Sequence, residues 1–233
     1  MKIDATNKTT QQINHYLSQN EECEVHHLLG QRYLGNALTK GHYIFYGYPG
    51  NVLGGFLDGA EIELYGNAQE ACGNTMSGGR LVIHGHCGDA LAYGMRGGEI
   101  YVDGNCGSRC GVHMKQYHHL HSVLVIGGSA GDFLGEYNAG GTILVLNQFH
   151  KPLPFGRFCG AGAHGGTIYF RLDNVSNDPR FRQVDPEQLQ KINQLIDHFA
   201  YYMKRDPMHL KEGIFYQLEI PQINPYEGLY VKN

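Results

Sequence analysis

Short apolar or β-branched runs recur along the middle of the chain at nearly constant spacing. Tyr43-Ile44-Phe45-Tyr46, Ile62-Glu63-Leu64-Tyr65, Leu81-Val82-Ile83-His84, Ile100-Tyr101-Val102-Asp103 and Leu124-Val125-Ile126 each lead into a glycine, and Ile143 to Leu146 and Ile168 to Phe170 continue the series. Runs of this length and composition predict strands. The glycines behind them, Gly47, Gly66, Gly85 and Gly104, stand 19 residues apart, and Gly128 resumes the series after an insertion. Nineteen residues cannot hold a strand, a crossover helix and the return, so each strand must coil back onto the one before it. The pattern predicts an all-β parallel β-helix. About seven rungs at a strand spacing of roughly 4.8 Å would stack to about 30 Å.

The glycines keep further register. Gly50, Gly88, Gly107 and Gly131 lie three residues after the marker, with Gln69 in the exceptional copy; Gly54, Gly73, Gly111 and Gly135 lie seven after it, where another copy has Ala92. Doublets at Gly78-Gly79, Gly97-Gly98 and Gly140-Gly141 close the unit. Corners of a coil need glycine either to reach positive φ or to let adjacent coils approach without a Cβ. Cys87 with Cys106, and Cys72 with Cys110, occupy equivalent places and read as small inward-facing apolar groups.

Open ends of such a stack expose strand edges, so terminal caps are expected. Asp185-Pro186-Glu187 starts a helix with an N-cap and an N1 proline, and Leu189, Ile192, Leu195, Ile196, Phe199 and Met203 repeat at helical spacing up to Asp206-Pro207. A helix over about 186–204 follows, and a shorter one over Thr9 to Gln19. The chain then divides into an N-terminal helix and lead-in cap (1–40), the β-helix (41–175), and a C-terminal helix with an irregular tail (176–233). The last part, Gly213 to Asn233, reads as an irregular strand along the stack.

Composition narrows the function. A net charge of −4, with no basic cluster longer than Lys204-Arg205, leaves a nucleic-acid backbone or anionic membrane little to hold. No apolar run approaches a spanning helix and the N-terminus lacks a signal core, which predicts a cytoplasmic protein. Six cysteines without a CxxC pair predict reduced thiols.

Three motifs invite chemistry. Gly127-Gly128-Ser129-Ala130-Gly131 fits the nucleophile elbow GxSxG, but it lies inside the repeat, where register already explains the glycines and a strand comes next. An independent esterase using Ser129 is therefore an alternative, not the main reading. Gly160-Ala161-Gly162-Ala163-His164-Gly165 fits GxGxxG, yet no helix follows it. The insertion between Gly111 and Val123 carries His113, His118, His119 and His121 with Lys115 and Tyr117. Its histidines are candidate metal ligands without a regular ligand spacing. The loop with Lys115, Tyr117, His118, His119 and His121 is the candidate docking element, since insertions in repeat proteins tend to emerge on the binding face.

At Gly30-Gln31-Arg32-Tyr33-Leu34-Gly35, Gly66-Asn67-Ala68-Gln69, Asn74-Thr75-Met76, Gly94-Met95-Arg96-Gly97-Gly98 and Gly131-Asp132-Phe133-Leu134-Gly135-Glu136-Tyr137, the chain resembles the GXGXG β-helix domain of the glutamate synthase large subunit. That domain is also found as the third subunit of formylmethanofuran dehydrogenase. The resemblance spans about Val25 to Arg171. It implies a right-handed β-helix acting as a scaffold beside glutaminase and flavin domains. The chain departs from the large subunit in holding neither its catalytic cysteine nor a cysteine cluster suited to iron-sulfur binding, so no catalytic or cofactor-binding residue carries over. The implied role is a non-catalytic subunit of a split glutamate synthase-like oxidoreductase complex in glutamate biosynthesis. Its expected partners are a glutaminase-type amidotransferase chain and a synthase chain holding FMN and an iron-sulfur cluster. Self-assembly into a structural homo-oligomer is the remaining alternative.

Overall fold

The structure, a computed structural model, describes residues 1–220. Its core is a parallel β-helix that runs further toward the N-terminus than the glycine period signals. The chain opens with β1 (Lys2–Asp4), α1 (Thr10–Gln19) and β2 (Glu22–Leu29), then enters the periodic strands β3 (His42–Tyr48), β4 (Asp58–Tyr65), β5 (Gly78–Ile83), β6 (Gly98–Val102), β7 (Ser122–Ile126), β8 (Ala139–Val145) and β9 (Gly165–Leu172). These nine pair in parallel in chain order. β10 (Phe181–Gln183), α2 (Pro186–Met203), α3 (Met208–Lys211) and β11 (Ile214–Leu218) follow, and β11 adds to β9 antiparallel with β10 on its outer edge. The stack therefore has eight coils, β2 to β9. Glu22–Leu29 escaped the sequence pattern because its run, Glu-Cys-Glu-Val-His-His-Leu-Leu, is half polar and no marker glycine stands 19 residues before Gly47.

Alternation decides which side chains enter the coil. Ile62, Leu81, Ile100, Leu124, Ile143 and Ile168 sit in one register across six strands, and all are buried. This ladder, with its neighbours Leu64, Ile83, Val102, Ile126, Val145 and Phe170, forms the interior core. Ile13 and Leu17 of α1 seal it at the N-terminal end, and Tyr216, Leu218 and Ile220 seal it at the other. Thr9 caps α1 reciprocally with Gln12, as Asp185 caps α2 with Gln188.

α2 forms where the sequence predicts, over Pro186–Met203, but it does not close an end of the stack. It lies on the outer face of the sheet, where Ile192, Ile196, Phe199 and Met203 bury Val82, Tyr101, Val125, Leu144 and Tyr169 in a second core. The reason is legible in the strands: β5 to β8 carry apolar residues on both faces, and strands apolar on both faces require a cover on each. The closing role at the C-terminal end falls to β11 and β10. The portion of the irregular-tail expectation over 221–233 lies outside the described residues.

Each coil turns through a repeated irregular segment. In seven successive coils the backbone is left-handed at three alternate residues, from Tyr33, Gly35 and Ala37 through to Phe158, Gly160 and Gly162. The middle amide donates to the preceding coil, as Gly54 N does to Leu34 O at 2.9 Å. The flanking amides donate to the following one, as Val52 N does to Glu70 O and Phe56 N to Asn74 O. Gly54, Gly73, Gly111 and Gly135 fill the middle column with φ of +62 to +67, and Ala92 takes the same conformation at +58. Gly50, Gly85, Gly88, Gly104, Gly107, Gly128 and Gly131 answer the other demand: a Cβ on Gly107 would meet Asp89 N at 2.7 Å, and one on Gly88 the Gln69 carbonyl carbon at 3.0 Å.

Candidate functional site

The insertion builds a tight loop. Tyr117 and Leu120 form an antiparallel bridge, Leu120 N donates to Tyr117 O at 3.0 Å, and His118 and His119 stand exposed at the tip. Gln116 and Leu120 lie over Gly140 and Gly97, so the loop packs on the glycine-doublet corner. His113 does not join the other histidines: it occupies a left-handed corner position and stacks on Tyr137 at 5.2 Å. Among the described residues no three His, Cys, Asp or Glu side chains are arranged to hold a metal ion.

The corner beside the loop carries an aromatic edge that sequence reading missed. Phe133 and Phe158 stack at 5.0 Å, Arg109 lies over Phe133 and Arg157 over Phe158, and Asp132 holds Arg157 through paired bonds of 3.0 and 3.3 Å. Phe158 and Tyr137 are exposed. These rings occupy left-handed backbone, with φ of 62 at Phe133, 53 at Tyr137 and 60 at Phe158, a conformation that costs a non-glycine residue about 1–2 kcal/mol. The histidine loop leaves the coil after Lys115, since Met114 is buried in the interior and Lys115 N still donates to Met95 O at 3.0 Å.

A second feature lies on the opposite side of the strands, where the covering helix ends. A cleft of about 370 Å³ opens between the last turn of α2 and the outer faces of β3 to β5, lined by His42, Glu61, Glu63, Arg80, Tyr202 and Lys204 among others. Glu63 Oε1 accepts from Tyr65 at 2.6 Å and His84 at 2.7 Å, with Lys204 Nζ at 3.7 Å; Lys204 also donates to Tyr65. Burial opposes the charge on Glu63, but these donors and the Lys204 charge outweigh it and hold the carboxyl below its usual range. Donation to Tyr65 and the Glu63 charge push Lys204 up. Both shifts favour the ionised forms at neutral pH, so this pair is built to hold charge, not to pass a proton.

Among the described residues no histidine hydrogen-bonds to Ser129. Its hydroxyl donates to Asn105 Oδ1 at 3.0 Å and accepts from Lys151 Nζ at 2.7 Å, and the residue is buried. Gly160 and Gly162 are corner residues of the last coil and lead into β9 rather than a helix. Cys72, Cys87, Cys106 and Cys110 are free and buried in the interior, as their register predicts.

The family model described as GXGXG motif matches residues 6–210. The chain belongs to the GXGXG motif family. A relative, an uncharacterized protein of Methanocaldococcus jannaschii, is 43% identical over 203 residues, covering 82% of this chain and 78% of its own. The family is associated with glutamate synthase-type proteins. Its match begins within the lead-in, at residue 6, which agrees with coils that start before the glycine period. In this GXGXG chain Glu63 takes the outward register that Val82 and Tyr101 fill with apolar side chains. Among the described residues no helix is long and apolar enough to cross a membrane.

Proposed function

We propose that this chain is a non-catalytic scaffold subunit of a split glutamate synthase-type complex. Separate chains would hydrolyse glutamine and, with FMN and an iron-sulfur cluster, carry out the reductive step; this chain holds them in register. The observation that carries the reading is the aromatic edge. Half-buried Phe133 stacked on exposed Phe158, both flanked by arginines and standing on left-handed backbone, suits an interface anchor, and family membership supports a glutamate synthase-type setting. The histidine loop extends the same docking face. The test is affinity purification of the tagged chain from its native cell with an absorption spectrum of the product. Amidotransferase-like and flavin/iron-sulfur chains with a yellow-brown spectrum are expected with the wild type, and their loss with Phe133→Ala/Phe158→Ala. Recovery of a colourless chain alone or self-associated, under conditions that keep weak complexes, would overturn the reading.

A further inference from the structure

The cleft beneath the end of α2 leaves one carboxylate oxygen and one guanidinium nitrogen open to a ligand. Glu63 uses Oε1 for Tyr65, His84 and Lys204; among the described residues no donor reaches Oε2 within hydrogen-bonding distance, and His42 Nε2 stands 4.0 Å from it. The carboxylate is 18% exposed, and Oε2 is the oxygen open to the cleft. Arg80, on the same wall, gives Nη1 to Glu61 at 2.8 Å and Nε to Glu99 at 3.1 Å, which leaves Nη2 without a partner among the described residues. The Arg80 guanidinium lies 4.5 Å from the Tyr202 ring centroid, which fixes its plane.

The lining holds both signs: Glu61 and Glu63 stand with Arg80 and Lys204, and Glu99 pairs with Arg80. A plain anion meets the carboxylates and a plain cation meets Arg80 and Lys204. A small molecule carrying an ammonium and a carboxylate a few bonds apart matches both, and the cleft volume lies within the roughly 300–1,000 Å³ range of small-molecule sites. We infer that this cleft binds a free α-amino acid, with the ammonium on Glu63 Oε2, the carboxylate toward Arg80 and Lys204, and the side chain against Tyr201 and Tyr202. Tyr201 is 77% exposed at the rim of the cleft, its ring edge-on to Tyr202 at 5.2 Å. The cleft would make the subunit an amino-acid sensor as well as a scaffold, and it stands independently of the partners.

The experiment is a thermal-shift and calorimetric titration of the full chain with free glycine, alanine, glutamine, glutamate and lysine, each alongside its N-acetyl and methyl-ester forms. At about 10 mM, tenfold above a Kd of about 1 mM, at least one free amino acid should raise Tm by about 3–6 °C. Its N-acetyl and ester forms, which lose one charge each, should not. Glu63→Gln should weaken binding at least about tenfold, and Tyr201→Ala, at an exposed helix position that leaves the fold intact, should weaken it measurably. No shift with any free amino acid, an equal shift with the blocked forms, or unchanged binding in both variants would overturn the inference. None of these outcomes bears on the complex, because the chain is titrated alone.

Discussion

Asn14 stands in for a coil that is not there. Its Oδ1 accepts from Gly35 N at 2.9 Å and its Nδ2 donates to Tyr33 O at 2.8 Å, on the first left-handed corner of the stack. In the next coil the equivalent amide, Gly54 N, donates to the main chain of its predecessor, Leu34 O. One side chain on α1 thus satisfies a main-chain donor and acceptor that the open end would otherwise leave unmet. Asn14→Ala should lower unfolding stability by about 1–3 kcal/mol. Asn14→Asp keeps the acceptor for Gly35 but loses the donor to Tyr33, so urea midpoints should rank wild type above Asp above Ala. Equal midpoints for all three would show that the end is held by packing of Ile13 and Leu17 instead.

The corners make two opposite predictions for glycine. Phe56 is exposed and holds φ of 56. Phe56→Gly removes the Cβ conflict at a small cost in unfolded-state entropy, and should stabilise the chain by about 0.5–1 kcal/mol in denaturant melts.

Gly107 lies where the coils are closest. Its added Cβ would press on Asp89 N and on the Asp89 carboxylate, and main chain cannot yield as a side-chain tip can. Gly107→Val should cost about 1–3 kcal/mol or more, and partner recovery should fall in proportion to the folded fraction. A destabilising Phe56→Gly together with a neutral Gly107→Val would contradict the assignment of the two glycine roles.

What the sequence made legible follows from the same geometry. Repetition exposed the fold, because every coil repeats the demand for glycine at Gly54, Gly73, Gly111 and Gly135 and for an apolar residue at Leu81, Ile100 and Leu124. The two flanking left-handed columns stayed hidden: their strain is offset by hydrogen bonds to the next coil, so Tyr, Val, Ala, Arg, Phe, Thr and His all occupy them and leave no residue signature. The aromatic edge was hidden with them, since Phe133 and Phe158 are 25 residues apart across an enlarged coil and meet only in space. The position of α2 was readable in principle from the outward residues Val82, Tyr101, Val125 and Leu144. The cleft was not, because Lys204 and Glu63 are brought together from distant parts of the chain only when α2 lies across the sheet.

Glu63 gives a pH dependence of defined sign. Its folded carboxyl titrates below the ordinary value, so its contribution is complete above about pH 4.3 and is lost as pH falls through the lower folded value. Glu63→Gln keeps an acceptor for Tyr65 and His84 but drops the charge that faces Lys204. The variant should therefore be less stable than wild type at pH 7, and the gap should close as the pH is lowered below about 4. Urea melts at a series of pH values would check this; a gap that widens in acid would reverse the sign and refute the charge-pair account.

Arg171 ties the closing strands to the last coil. It is buried, and burial lowers its pKa, yet Nη1 donates to His209 O at 2.9 Å and Nη2 to Asn147 O at 3.1 Å. Asn147 completes the tie by donating to Arg171 O at 3.2 Å. A single guanidinium thereby joins β9, the turn after β8 and α3, immediately before β11 adds to the sheet. Arg171→Met leaves those carbonyls dry and unpaired, a loss of about 2–4 kcal/mol. The effect should be local: hydrogen exchange should quicken over 205–218 while β3 to β6 keep wild-type protection. Arg171→Lys, whose ammonium can reach one carbonyl group but not both sides of the fork, should fall between the two. Uniform loss of protection through all eight coils would mean that the stack unfolds as one unit and that this tie does not define a separate closing element.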